Sequence, residues 1–167
     1  NEDPNPVQQK ALPICVLREL AKLYSSETQK AILQLAIGAY FFAMRSCEYL
    51  KVPQAEKCRT DILQLRCIRF FRGRKLMKHN NPWLEYADYV SITFEWQKKD
   101  TRMDTVTQMA LRDLTLCGVR MWAAVVRRIW GYPGVNEDTP VSAVWRHEKL
   151  DNITSQEMKI ALRAAVT

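Results

Sequence analysis

Three groups of residues in this sequence have the types and spacing to act on an anion. Arg45 closes the nearly continuous apolar run Ala31–Met44, where a buried charge costs roughly several kcal/mol unless it is paired. Glu48 lies three residues on, within reach if the turn stays helical. The same spacing fits a plainer reading, an arginine favoured by the dipole at a helix's carboxyl end, with Glu48 as a weak surface partner. Between Lys57 and His79 the chain carries Lys57, Arg59, Arg66, Arg69, Arg72, Arg74, Lys75 and Lys78, against Asp61 as the only acid. Such a run either meets phosphates or is a solvated loop. Lys98 and Lys99 form a smaller pair, followed by Asp100, Thr101 and Arg102. Two lysines in a turn also need be no more than solvated.

The elements that must position these groups follow from periodicity. Residues 1–12 are polar and contain two prolines, and read as a linker or arm. After Pro13, Ile14, Leu17, Leu20, Ala21 and Tyr24 recur at helical spacing. Ser26 with Gln29 forms a capping box that starts a second helix near Glu27, apolar nearly all round through Met44 and so packed on several sides. Strands are expected over Leu63–Phe71, Tyr89–Trp96 and Asp104–Met109, the last two joined as a hairpin with Lys98 and Lys99 at its tip. Asn80-Asn81-Pro82 breaks the chain between the first two. Leu116, Val119, Trp122, Ala123, Val126 and Ile129 share a helical face that ends at Gly131, with Arg120, Arg127 and Arg128 falling away from it. Thr154 with Glu157 caps a last helix through Ala165, expected to be still running at Thr167. The expected fold is α+β, mainly α, with helices packed around a three-stranded antiparallel sheet over residues 13–167.

A chain of 167 residues with 47% hydrophobic content can bury a real core. Its net charge of +7 makes an anionic partner plausible without naming one. The longest apolar run, Ile32–Met44, is too short to span a bilayer and contains Gln34, and the start has no basic region before an apolar stretch. Neither a membrane span nor a signal peptide is expected, and the missing initiator Met suggests a start inside a longer polypeptide. Cys15, Cys47, Cys58, Cys67 and Cys117 are odd in number and form no C-x-x-C pair. They read as reduced thiols of an intracellular protein, without zinc.

Phe42-Ala43-Met44-Arg45-Ser46-Cys47-Glu48-Tyr49-Leu50 resembles the first box of tyrosine recombinases of the phage-integrase type, an apolar helix ending in Arg-x-x-Glu-aliphatic and followed by a small sheet. The kind it looks like is the crypton and DIRS type of eukaryotic mobile elements, and the resemblance spans roughly Pro13 to Val166. It implies a scissile-phosphate site in which Arg45 neutralises the growing charge bidentately, as lysine cannot. It also implies that Glu48 orients Arg45, and that a lysine at the hairpin tip, Lys98 by register with Lys99 next, protonates the leaving 5′ oxygen. No metal or other cofactor is implied.

A complete member of that family needs a His-x-x-Arg box and a later tyrosine nucleophile. Neither His79 nor His147 has arginine three residues on, and none of the six tyrosines follows such a box. Tyr86 and Tyr132 read as core or turn aromatics. The chain is therefore expected to be the early part of the catalytic domain, inactive by itself. Its expected partner is double-stranded DNA, held by Arg59, Arg66, Arg69, Arg72, Arg74, Lys75, Lys78, Lys99, Arg102, Arg120, Arg127 and Arg128. The complete protein would act as an oligomer on DNA, in the nucleus if the host is eukaryotic. The alternatives are a DNA-binding module that has lost catalysis and an α-rich protein-interaction domain.

Overall fold

The computed structural model describes residues 12–53, 61–95 and 104–166. Helix α1 (Ile14–Leu23) begins after Pro13 and buries Val16, Leu17 and Leu20; of the positions that the spacing singles out, Leu17 and Leu20 are buried, Ala21 is partly so, and Ile14 and Tyr24 are exposed. Helix α2 (Glu27–Phe41) opens on the expected capping box: Ser26 Oγ accepts from the Gln29 amide at 3.2 Å, and Gln29 Oε1 accepts from the Ser26 amide at 3.1 Å. From Ala31 to Ala39 every α2 residue except Gln34 is buried, which makes it the central helix.

The helix stops at Phe41 rather than Met44. Ala43 adopts φ 49, in the left-handed region. The Met44 amide then donates to Ala39 O at 3.0 Å and the Ala43 amide to Tyr40 O at 3.1 Å. This is a Schellman ending, built on alanine where glycine is usual, so nothing in the sequence marks it. Arg45 thus lies outside α2 and immediately precedes the short helix α3 (Ser46–Tyr49).

Four antiparallel strands, not three, form the main sheet, in the order β2-β1-β3-β4: β1 Ile68–Arg72, β2 Lys75–Met77, β3 Tyr89–Phe94 and β4 Asp104–Met109. The added strand arises because Gly73, at φ 57, supplies the positive φ that a two-residue hairpin turn needs, and Arg72 pairs directly with Lys75. Half of the basic run is consequently a hairpin. The first strand begins only at Ile68, after a single 3-10 turn at Leu65–Cys67. Ile68, Phe70, Val90, Ile92 and Phe94 are buried on the side where α4 (Gly118–Trp130) lies against β3 and β4. On the other face Arg69, Thr105, Thr107 and Met109 are exposed and Phe71, Tyr89, Ser91 and Thr93 partly so. The helices therefore cover one face of the sheet instead of surrounding it.

Helix α4 packs on α2, and glycine permits the approach: a Cβ at Gly38 would meet the Trp122 ring at 2.9 Å. A second sheet, β5 (Ala143–Arg146) with β6 (Lys149–Asn152), was not expected. Its turn uses His147 at φ 52 and Glu148 at φ 58, without the glycine or asparagine that advertises such a turn. Helix α5 (Ser155–Ala164) has the expected box, Thr154 Oγ1 accepting from the Glu157 amide at 3.2 Å and Glu157 Oε2 from the Thr154 amide at 2.8 Å. It closes at Ala164 instead of running on to Thr167. Among the described cysteines Cys67 and Cys117 are buried, while Cys15 is exposed. No helix among the described residues is long and apolar enough to cross a membrane.

Candidate nucleic-acid interface

Arg45 is exposed, with an extended backbone at φ −78 and ψ 151, and Glu48 is 6% exposed. The two do meet, but not as the spacing suggests. Glu48 Oε2 accepts from the backbone amide of Arg45 at 2.7 Å, and the Glu48 amide donates to Arg45 O at 2.9 Å. The carboxylate therefore fixes the backbone that presents Arg45 rather than pairing with its guanidinium. Among the described residues no ion pair occupies that guanidinium. The dipole of α2 does not reach Arg45 in the expected way either, since the Schellman turn intervenes.

Glu48 lines a small cleft of about 70 Å³ together with Asp61, Gln64, Arg66, Phe94 and Glu95. Arg66 staples this cleft: Nε donates to Glu95 Oε1 at 3.3 Å, Nη2 donates to Glu95 Oε2 at 3.0 Å, and Nη1 pairs with Asp138. The hydrogen bond to Glu95 raises the Arg66 pKa further above its ordinary value, and the same bond holds the Glu95 carboxyl below the usual carboxylate range. Arg66, read as a DNA contact from its place in the basic run, is thus already neutralised by two acids. Three carboxylates, Glu48, Asp61 and Glu95, against one guanidinium disfavour an anion inside the cleft. Glu95 stands three residues before Lys98. Lys98, Lys99, Arg102 and Arg59 lie outside the described residues.

Arg69, Arg72, Arg74, Lys75 and Lys78 are exposed, and no ion pair among the described residues neutralises them. All belong to the β1–β2 hairpin or its end. Arg120 sits with its guanidinium carbon 5.9 Å from the centre of the Tyr86 ring, and Arg127 Nη1 is 3.7 Å from Glu85 Oε1. Arg128 departs from expectation. Its Nε donates to Gln34 Oε1 at 3.0 Å, and its Nη1 donates to Ala143 O at 2.7 Å and Tyr132 Oη at 3.1 Å. A residue that helical spacing turns away from the apolar face thus reaches back and ties α4 to α2 and β5, with Nε and Nη1 engaged inside the fold.

Sequence reasoning passed over Trp83 and left Tyr86 as a core or turn aromatic, of which the structure shows the second, in the 3-10 turn Leu84–Tyr86. Trp83 is 60% exposed and Tyr86 49% exposed, with ring centres 5.8 Å apart. An aromatic residue is far more often core than surface, and only the fold shows which these are. No protein-family model, no curated protein and no solved structure matches this chain.

Proposed function

We propose that this chain is a DNA-binding portion of a tyrosine-recombinase-type catalytic domain, in which Arg45 grips the scissile phosphate and the β3–β4 tip brings Lys98 or Lys99 to the leaving oxygen. One observation carries the reading. Glu48, which holds the Arg45 amide, and Glu95, at the root of the hairpin, line the same small cleft. The backbone presenting the arginine and the strand leading to the lysines therefore stand side by side. A guanidinium fixed at its backbone and, among the described residues, without an ion pair at its head suits bidentate contact with two phosphate oxygens. The unpaired cations of the β1–β2 hairpin would extend the grip along duplex DNA, and a complete recombinase would act on it as a DNA-bound oligomer, in the nucleus of a eukaryotic host.

Titration of labelled duplex DNA at several salt concentrations tests this. Binding of roughly micromolar strength or weaker is expected, with a logarithmic salt slope of about −0.9 per phosphate neutralised. Arg45→Ala should remove about one such contact. No covalent adduct is expected, since none of the six tyrosines follows a His-x-x-Arg box. Absent or salt-independent binding would favour a protein-interaction domain instead. One feature speaks for that second reading: Leu76, Phe71, Tyr89 and Met109 are cross-strand partners in a single apolar row on the open face of the sheet.

A further inference from the structure

We propose that the β2 edge of the main sheet binds single-stranded nucleic acid, with Trp83 stacking on a base and Arg72, Lys75 and Lys78 following the phosphates. This rests on the reading of the chain as a nucleic-acid-binding protein and adds to it a surface of different preference.

Two grooves flank β2, of about 600 and 490 Å³, and both are lined by Leu76, Met77, Lys78 and Asn80. The first adds Arg69 and His79; the second adds Arg72, Lys75 and Trp83. Among the described residues Glu137 is the only acid along the first groove, and none lines the second. Arg72 and Lys75 are direct cross-strand partners, a like-charge pairing that destabilises a hairpin. A polyanion laid along the edge would relieve that repulsion.

Trp83 supplies what a run of cations lacks, a flat face for a base. It is held rather than loose: its amide donates to Asn81 Oδ1 at 2.8 Å, the Asn81 amide donates to Lys78 O at 3.0 Å, and the Tyr86 amide donates to Trp83 O at 2.9 Å. Leu84, fully buried between the two exposed aromatics, pins this turn into the core beside α4. Tyr86, tilted 49° from the Trp83 ring, and the Arg120 guanidinium over it stand beside it. A turn whose backbone is fixed before binding loses little backbone entropy when a base stacks on its side chain. Bases within a duplex are already stacked on one another, whereas those of an open strand can offer their faces to an aromatic side chain. Phosphate-tracking cations interleaved with exposed aromatics are therefore the chemistry of single-strand recognition.

The test is a parallel titration of the full chain with labelled oligothymidylate, oligouridylate and a duplex, for the wild type and Trp83→Leu, with circular dichroism melting to verify folding. Binding of either single strand supports the proposal, and the two arms tell DNA from RNA. Trp83→Leu should weaken single-strand binding by roughly 5- to 100-fold, the range for one lost base stack, and alter duplex binding by less than about twofold. A folded Lys75→Ala/Lys78→Ala variant should lose about 1.4 from the single-strand salt slope, at roughly 0.7 per phosphate. Duplex binding without single-strand binding, or single-strand binding indifferent to Trp83→Leu, would overturn this proposal and leave the duplex-gripping function standing. Binding to none of the three would remove both.

Discussion

The carboxylate of Glu48, the one charged side chain buried among the described residues, accepts its hydrogen bond from the backbone amide of Arg45, whose own side chain is exposed. The acid of the Arg-x-x-Glu pair thus holds backbone, while the base is turned to solvent. Glu48→Ala should cost about 1.5–3 kcal/mol in urea unfolding, the range for hydrogen bonds to charged groups. Glu48→Gln should recover part of this, because its amide oxygen still accepts. Arg45→Ala should stay within about 0.5 kcal/mol of wild-type stability while weakening duplex binding. Unchanged stability in Glu48→Ala would show that the carboxylate does not hold that backbone.

Three arginines that look alike in the sequence should behave differently. Arg69→Ala should reduce the duplex salt slope by about 0.9, one phosphate's worth of counterions. Arg66→Ala should not reduce it, since Glu95 and Asp138 already neutralise that charge. Arg128→Ala should also spare the slope but destabilise the fold by about 1.5–3 kcal/mol through its lost charged hydrogen bonds. A lowered slope in the Arg66 or Arg128 variant would return that residue to the DNA-contacting set.

Gly38→Ala should destabilise despite improving helix propensity. The gain is about 1 kcal/mol, whereas overpacking against the Trp122 ring costs about 1–3 kcal/mol. A second substitution, Trp122→Phe, should lose less in the Gly38→Ala background than alone, giving a measurable coupling in a double-mutant cycle. Additive losses would mean that the α2–α4 approach does not depend on this contact.

Acid should loosen the β5–β6 hairpin and the start of α5. Arg146 Nε donates to Asp151 Oδ2 at 2.8 Å and Arg146 Nη1 pairs with Glu157. The hydrogen bond from Arg146 depresses the Asp151 pKa. For Glu157, burial pushes upward but the bonds from Arg146 and Thr154 outweigh it, and the pKa is lowered. Groups depressed on folding contribute stability above their unfolded pKa, about 4 for these carboxylates, and lose it as pH falls through the folded value. The melting temperature should therefore drop as pH falls below about 4. Arg146→Gln should lower it at neutral pH and flatten that drop. An unchanged acid profile in Arg146→Gln would sink the assignment.

Both capping boxes, the start of α1 and the span of β4 were legible in the sequence because the interactions that set them lie within a few residues. Ser26 reaches Gln29, Thr154 reaches Glu157, and alternation along β4 needs no distant partner. The cationic run and the Arg-x-x-Glu pair could likewise be singled out by type and spacing alone. What each residue does was decided by contacts far along the chain. Arg66 meets Asp138 across 72 positions and Arg128 meets Gln34 across 94, so a side chain's partner, not its own chemistry, determines whether its charge is spent inside the protein or offered outside. The ending of α2 at a left-handed alanine and the turn at His147 and Glu148 were hidden for a related reason. Backbone hydrogen bonds at the end of α2 and the pairing of β5 with β6 hold non-glycine residues there in a conformation that their own preferences oppose.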